Sequence, residues 1–174
     1  MKFVPAIALT ALALVTQPAM ARPLQCAPYA REHSAIDLHG NAATWWGQAE
    51  GSYARGNTPA TGSVLVFKAT GAMPVGHVAV VSKIVDDRHV VLNHANWSRP
   101  GMIEKSAMAE DVSAKGDWSS VRVWYAPTQS LGLRASPTFG FIYAPGAEAG
   151  TLATETTKPS DTFLTAFADL PKQG

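Results

Sequence analysis

The 174-residue chain contains one cysteine, Cys26, in the run Cys26-Ala27-Pro28-Tyr29-Ala30-Arg31. A solitary thiol cannot close an internal disulfide, so it is a reactive group, an attachment point or a bystander. Two of the histidines stand in patterned surroundings: His77 in Gly76-His77-Val78-Ala79-Val80-Val81, and His94 in His94-Ala95-Asn96-Trp97. A thiol nucleophile needs a base to take its proton and a polar group to orient that base. Cys26, then His77, then His94 or Asn96 supply those residue types in that order. His33, His39 and His89 read as surface residues.

The elements that must position these groups follow from local pattern. Leu24 to about Asp37 is predicted helical, with Pro28 in the first turn, where its missing N–H breaks no intrahelical bond, and Gly40 closing the segment. Cys26 then lies at a helix N-terminus, where unsatisfied backbone N–H groups favour thiolate over thiol. A second helix is predicted over residues 42–48 with Asn41 as N-cap. Its adjacent Trp45 and Trp46 cannot both face inward, so one packs in the core and the other is free to line a groove. Residues 63–68, Ser-Val-Leu-Val-Phe-Lys, read as a buried strand.

Residues 76–85 and 89–96 are predicted to form a hairpin across Asp86-Asp87. With a two-residue loop, Val85 pairs with Arg88, His77 falls opposite Asn96, and His94 is the diagonal neighbour of His77 on one face. A slip of one residue would bring Asn93 and Trp97 to that face instead. Residues 120–125 read as a further strand. Residues 100–118 carry little pattern beyond a short amphipathic turn around Ile103 to Met108. The apolar run 139–143 is an island expected to pack onto the domain.

The totals bound the function class. Lys2, the apolar run Val4 to Val15 and Ala19-Met20-Ala21 make residues 1–21 a signal peptide, with an apolar run too short to span a bilayer comfortably. Removing Lys2 from 14 basic residues leaves 13 against 13 acidic ones. Such a balanced surface argues against a nucleic-acid binder and against electrostatic membrane docking, and no later stretch predicts membrane insertion. The expectation is an exported, monomeric protein, periplasmic or extracellular. Residues 22–128 form its catalytic domain, 129–144 a short extension, and 145–174, rich in Ala, Gly, Thr and Pro, a disordered tail.

Other uses of these residues are weighed against catalysis. Lipidation of Cys26 would need a small residue before it, and Gln25 stands there. A buried inert thiol is the common fate of free cysteine. Cys26, His77 and His94 would make a zinc ligand set with an open position, but no fourth ligand or paired-histidine helix supports it.

The Cys26 run, residues 59–67 (Pro-Ala-Thr-Gly-Ser-Val-Leu-Val-Phe), the Gly-His block and the His-Ala-Asn-Trp block together resemble the CHAP domain, from about Leu24 to Tyr125. That is the cysteine- and histidine-dependent amidohydrolase/peptidase family of the NlpC/P60-like, papain-like superfamily. The resemblance implies an α+β papain-like fold, with N-terminal helices packed on an antiparallel β-sheet (a half-barrel). It implies cleavage of amide bonds in bacterial peptidoglycan, at the N-acetylmuramoyl-L-alanine bond or a peptide crosslink, without a cofactor. Cys26 would be the nucleophile and His77 the general base. Many CHAP domains carry a glutamate where His94 stands, so the orienting residue is open between His94 and Asn96. Tyr29, Trp45, Trp46 and Trp97 are the candidates to touch glycan strand or stem peptide. A non-catalytic wall-binding module and a general exported thiol peptidase or amidase are the competing readings.

Overall fold

The computed structural model describes residues 23–146. The expected signal peptide, and the expected tail from 147 onward, lie outside them. Two helices open the described chain: α1, Cys26–Glu32, and α2, Trp45–Gln48, the second entered through a 3-10 turn over Ala42–Thr44. Eight strands follow: β1 (Arg55–Gly56), β2 (Val64–Phe67), β3 (His77–Ile84), β4 (His89–Ala95), β5 (Ile103–Asp111), β6 (Ser120–Tyr125), β7 (Ser130–Leu131) and β8 (Ser136–Ile142).

All pairings between them are antiparallel. Strands β2 to β6 pair in sequence, and β8 pairs with both β2 and β6. Those six strands close a barrel, with β1 and β7 as two-residue flanks on β8 and β6. The expected α+β arrangement, helices packed on an open antiparallel half-barrel, is therefore wrong. The protein is mostly β, its barrel is shut, and its helices are seven and four residues long.

The physical reasons are local. The first helix stops at Glu32 because the Ser34 hydroxyl donates to the Ala30 carbonyl at 2.7 Å and accepts from the Ile36 N–H, drawing the backbone away from helical pairing. Residues 103–111, expected to hold at most a turn, form the nine-residue β5. The apolar island at 139–143 lies in and just beyond β8, the stave that completes the barrel. Gly140 is needed there. At φ +130° its backbone passes the Gly56 carbonyl so closely that a Cβ would lie 2.4 Å from that oxygen.

Strand β2 is buried on both faces because each face meets a different core. Leu65 and Phe67 point into the barrel with Ala79, Val81, Leu92, Trp118 and Phe141. Val64 and Val66 point outward with Val78, Val80 and Ile142, under Cys26, Ala30 and Trp45. Alternation along β3 thus sends even-numbered side chains toward α1 and odd-numbered ones into the barrel. His77, first in β3, takes the inward parity.

Candidate active site

Gly76 sets the start of β3. Its φ is +70°, and a Cβ there would lie 2.7 Å from the Ala43 nitrogen and 2.8 Å from the Phe67 carbonyl. Only glycine lets the chain turn this tightly against the 3-10 segment, where the Ala43 N–H donates to the Val75 carbonyl at 3.0 Å. His77 is thereby delivered to the mouth of the barrel. It is buried, with its ring against Phe67 at 5.5 Å and Trp97 at 4.9 Å between centroids.

The hairpin reaches this register by an indirect route. Near the turn, Ile84 pairs with Val90 and Lys83 with Val91, one residue away from the two-residue-loop expectation. A bulge between Val81 and Lys83 restores it, so that Val81 pairs with Leu92 and Val80 with Asn93. His77 and His94 then meet on the barrel side: His77 Nε2 and His94 Nδ1 are 3.0 Å apart. Trp97 also reaches the pair, stacking on His94 at 5.8 Å, without any slip of register. Asn96, at φ +64°, ends the strand and folds Trp97 back over the imidazoles.

Asn96 itself faces elsewhere. Its amide nitrogen donates to the Gln25 side-chain oxygen at 3.0 Å, and its oxygen accepts from the Gly101 N–H at 2.9 Å. It therefore pins the loop after β4 to the residue preceding Cys26, while the side chain hydrogen-bonded to His77 is that of His94.

Cys26 is the first residue of α1 and packs in the outer core against β3. Its sulfur is approached by the backbone N–H of Val78, the residue after His77, and by those of Ala27 and Cys26 itself. The sulfur therefore meets β3 one residue along from His77, on the outer face, and among the described residues no hydrogen bond joins it to the inward-facing imidazole. Burial pushes the Cys26 thiol up from its ordinary value, and the three N–H groups offset that only in part. The expectation that a helix end makes a resting thiolate is not met, because seven residues give a weak dipole and the sulfur is nearly dry. His77 is pushed well below 6.5 by burial and then by the neighbouring His94, and burial alone takes His94 down to about 4. At neutral pH the thiol and the two imidazoles therefore all rest neutral.

A residue that sequence reading passed over completes the cluster. Glu104 on β5 is the register partner of His94 and is buried. Its Oε2 lies 3.6 Å from His94 Nε2. Because His94 is held neutral, this is not an ion pair, and at 3.6 Å it falls short of a hydrogen bond, so His94 Nε2 is buried without a hydrogen-bond partner. Ser98 grips the same carboxylate with its N–H at 3.1 Å and its hydroxyl at 2.7 Å. Only the register opposite His94 could have revealed Glu104.

The four aromatic candidates separate. Trp97 alone touches the histidine pair. Tyr29 is 1% exposed and stacks on His33 at 4.0 Å, and Trp45 is wholly buried in the outer core, so neither presents a face to a substrate. Trp46 is half-buried in a separate stack with Phe139 and the Arg55 guanidinium. Among the described residues no three His, Cys, Asp or Glu side chains gather as metal ligands, so the Cys26, His77 and His94 set does not assemble as one. No helix of the described residues is long and apolar enough to cross a membrane.

The order of thiol, Gly-His strand and His-Ala-Asn loop matches a known family model, the CHAP domain, over residues 17–96. The match spans Cys26, His77, His94 and Asn96 and stops before Glu104. CHAP domains are amidase- and peptidase-type hydrolases that act on peptidoglycan. No curated protein matches the chain.

Proposed function

We propose that this protein is an exported hydrolase that cuts amide bonds in peptidoglycan, with Cys26 as nucleophile and His77 as general base. The observation that carries the reading is the neighbourhood of the sulfur. It sits against the Val78 N–H, one residue along the chain from an imidazole whose Nε2 is taken by His94. His77 Nδ1 has no hydrogen bond among the described residues, and it is the nitrogen left for the thiol.

The mechanism follows from the resting charges. With thiol and imidazole both neutral, the proton passes from sulfur to His77 as the sulfur attacks the scissile carbonyl, not before. The carbonyl oxygen becomes an oxyanion that backbone N–H groups at the start of α1 can meet. His77 then gives the proton to the leaving amine, which departs as the carbon–nitrogen bond breaks and leaves a thioester. His77 next takes a proton from water, hydroxide adds to the thioester, and the carboxylic acid leaves as the thiol is regenerated. His94 orients the imidazole throughout, and Trp97 shields its face from water.

Purified peptidoglycan and casein, each incubated with the protein, test the substrate class. Release of soluble wall fragments with casein intact is expected. Digestion of casein with the wall untouched would make the protein a general thiol peptidase, and binding to the wall without release would make it a binding module.

A further inference from the structure

Glu104 lies outside the family match, yet it is the only buried carboxylate at the histidine pair among the described residues. Each neutral imidazole carries one N–H, so the 3.0 Å bond between His77 Nε2 and His94 Nδ1 can run in either direction. If His94 donated from Nδ1, its Nε2 would carry a lone pair aimed at a carboxylate oxygen 3.6 Å away, both buried. Two acceptors facing each other in a dry site repel, and His77 would then hold its proton on Nδ1, where that nitrogen could accept nothing. With the opposite tautomer, His94 Nε2–H points at Glu104, His94 Nδ1 accepts from His77 Nε2–H, and His77 Nδ1 is free. Ser98 removes the remaining freedom. Its hydroxyl accepts from the Ala126 N–H at 3.0 Å and donates to Glu104, which fixes the carboxylate's direction.

We propose that Glu104, clamped by Ser98, is a positioning residue that acts through His94 to hold His77 in the tautomer with Nδ1 unprotonated. This rests on the reading of Cys26 and His77 as the reacting pair. Glu104 takes no proton itself. When His77 becomes imidazolium, the Glu104 charge answers the new positive charge through the neutral His94 ring.

Histidine-labelled protein at pH 7.5 distinguishes the tautomers by long-range proton–nitrogen NMR, a readout that needs no turnover. The wild type should show His77 and His94 both protonated on Nε2. In Glu104→Gln, whose amide can donate as well as accept, His94 should shift toward the Nδ1–H form. In the same variant kcat on purified peptidoglycan should fall roughly a hundredfold with KM little changed. Ser98→Ala, which keeps the carboxylate but loosens it, should fall between. Wild-type imidazoles protonated on Nδ1, or a folded Glu104→Gln with unchanged tautomers and unchanged kcat, would overturn the proposal. If wild type shows the expected tautomers but hydrolyses nothing, the hydrolase reading fails while the role of Glu104 in setting the tautomer stands.

Discussion

Strand β5 carries a buried carboxylate at each end, and the two are treated in opposite ways. At the hairpin end, Asp111 meets the Arg88 guanidinium at 2.8 Å and accepts the N–H groups of Ser113 at 2.8 Å and Trp118 at 3.3 Å. At the mouth, Glu104 meets a serine and an imidazole that is neutral at rest. The first carboxylate has its countercharge built in and serves to tie β5 to the turn of the β3–β4 hairpin and the loop before β6. The second lacks a cation until one forms beside it. The same residue chemistry on one strand thus yields a structural lock at one end and, on our reading, a poised charge at the other.

The largest effect that separates them should be on stability. Asp111→Ala strands a guanidinium and two backbone donors and should cost about 3 kcal/mol, a drop in Tm of roughly 10 °C. Glu104→Gln keeps the shape and most of the hydrogen bonds, so its Tm should stay within a few degrees of wild type. Thermal unfolding followed by circular dichroism checks both, and equal losses would erase the contrast.

Acid should weaken the mouth. The unfolded chain protonates a histidine near pH 6.5, whereas the folded protein keeps His94 neutral down to about 4. Stability present in full above 6.5 is therefore lost as pH falls through that window, by about 3 kcal/mol from this residue. Denaturant unfolding at pH 7.5 and pH 4 measures the loss, and His94→Gln should flatten it. The smallest effect is expected at Asn93→Ala. The Asn93 side chain accepts the Ser106 N–H on the outer side of the same hairpin, away from the imidazoles. Most hydrolytic activity should remain, and a loss beyond about tenfold would show that the outer face also shapes the mouth.

Much of the mouth was legible in the sequence because its parts lie on strongly patterned strands. Gly76-His77 opens an apolar run, and His94 closes another at the spacing that returns it to the first. Glu104 was not legible, since β5 inverts the usual pattern. Ile103 is 48% exposed and Glu104 is 7% exposed. Ser106, at φ +75°, adds a kink that breaks the alternation before Ala107 turns inward. Barrel closure was equally hidden. It depends on β8 pairing with β2 some 75 residues earlier, a non-local contact that the local reading of 139–143 as an island could not contain. The length of α1 failed for the opposite reason, a single serine side chain outcompeting the helical backbone.

Mass spectrometry of purified peptidoglycan before and after incubation with wild type, Cys26→Ser and His77→Ala tests the central claim most directly. The account predicts fragments with one newly freed amine and one newly freed carboxyl from the wild type, and a fall of at least about a thousandfold in their yield from either variant. Undiminished cleavage by a folded Cys26→Ser protein, or an unaltered wall after wild-type treatment, would contradict it.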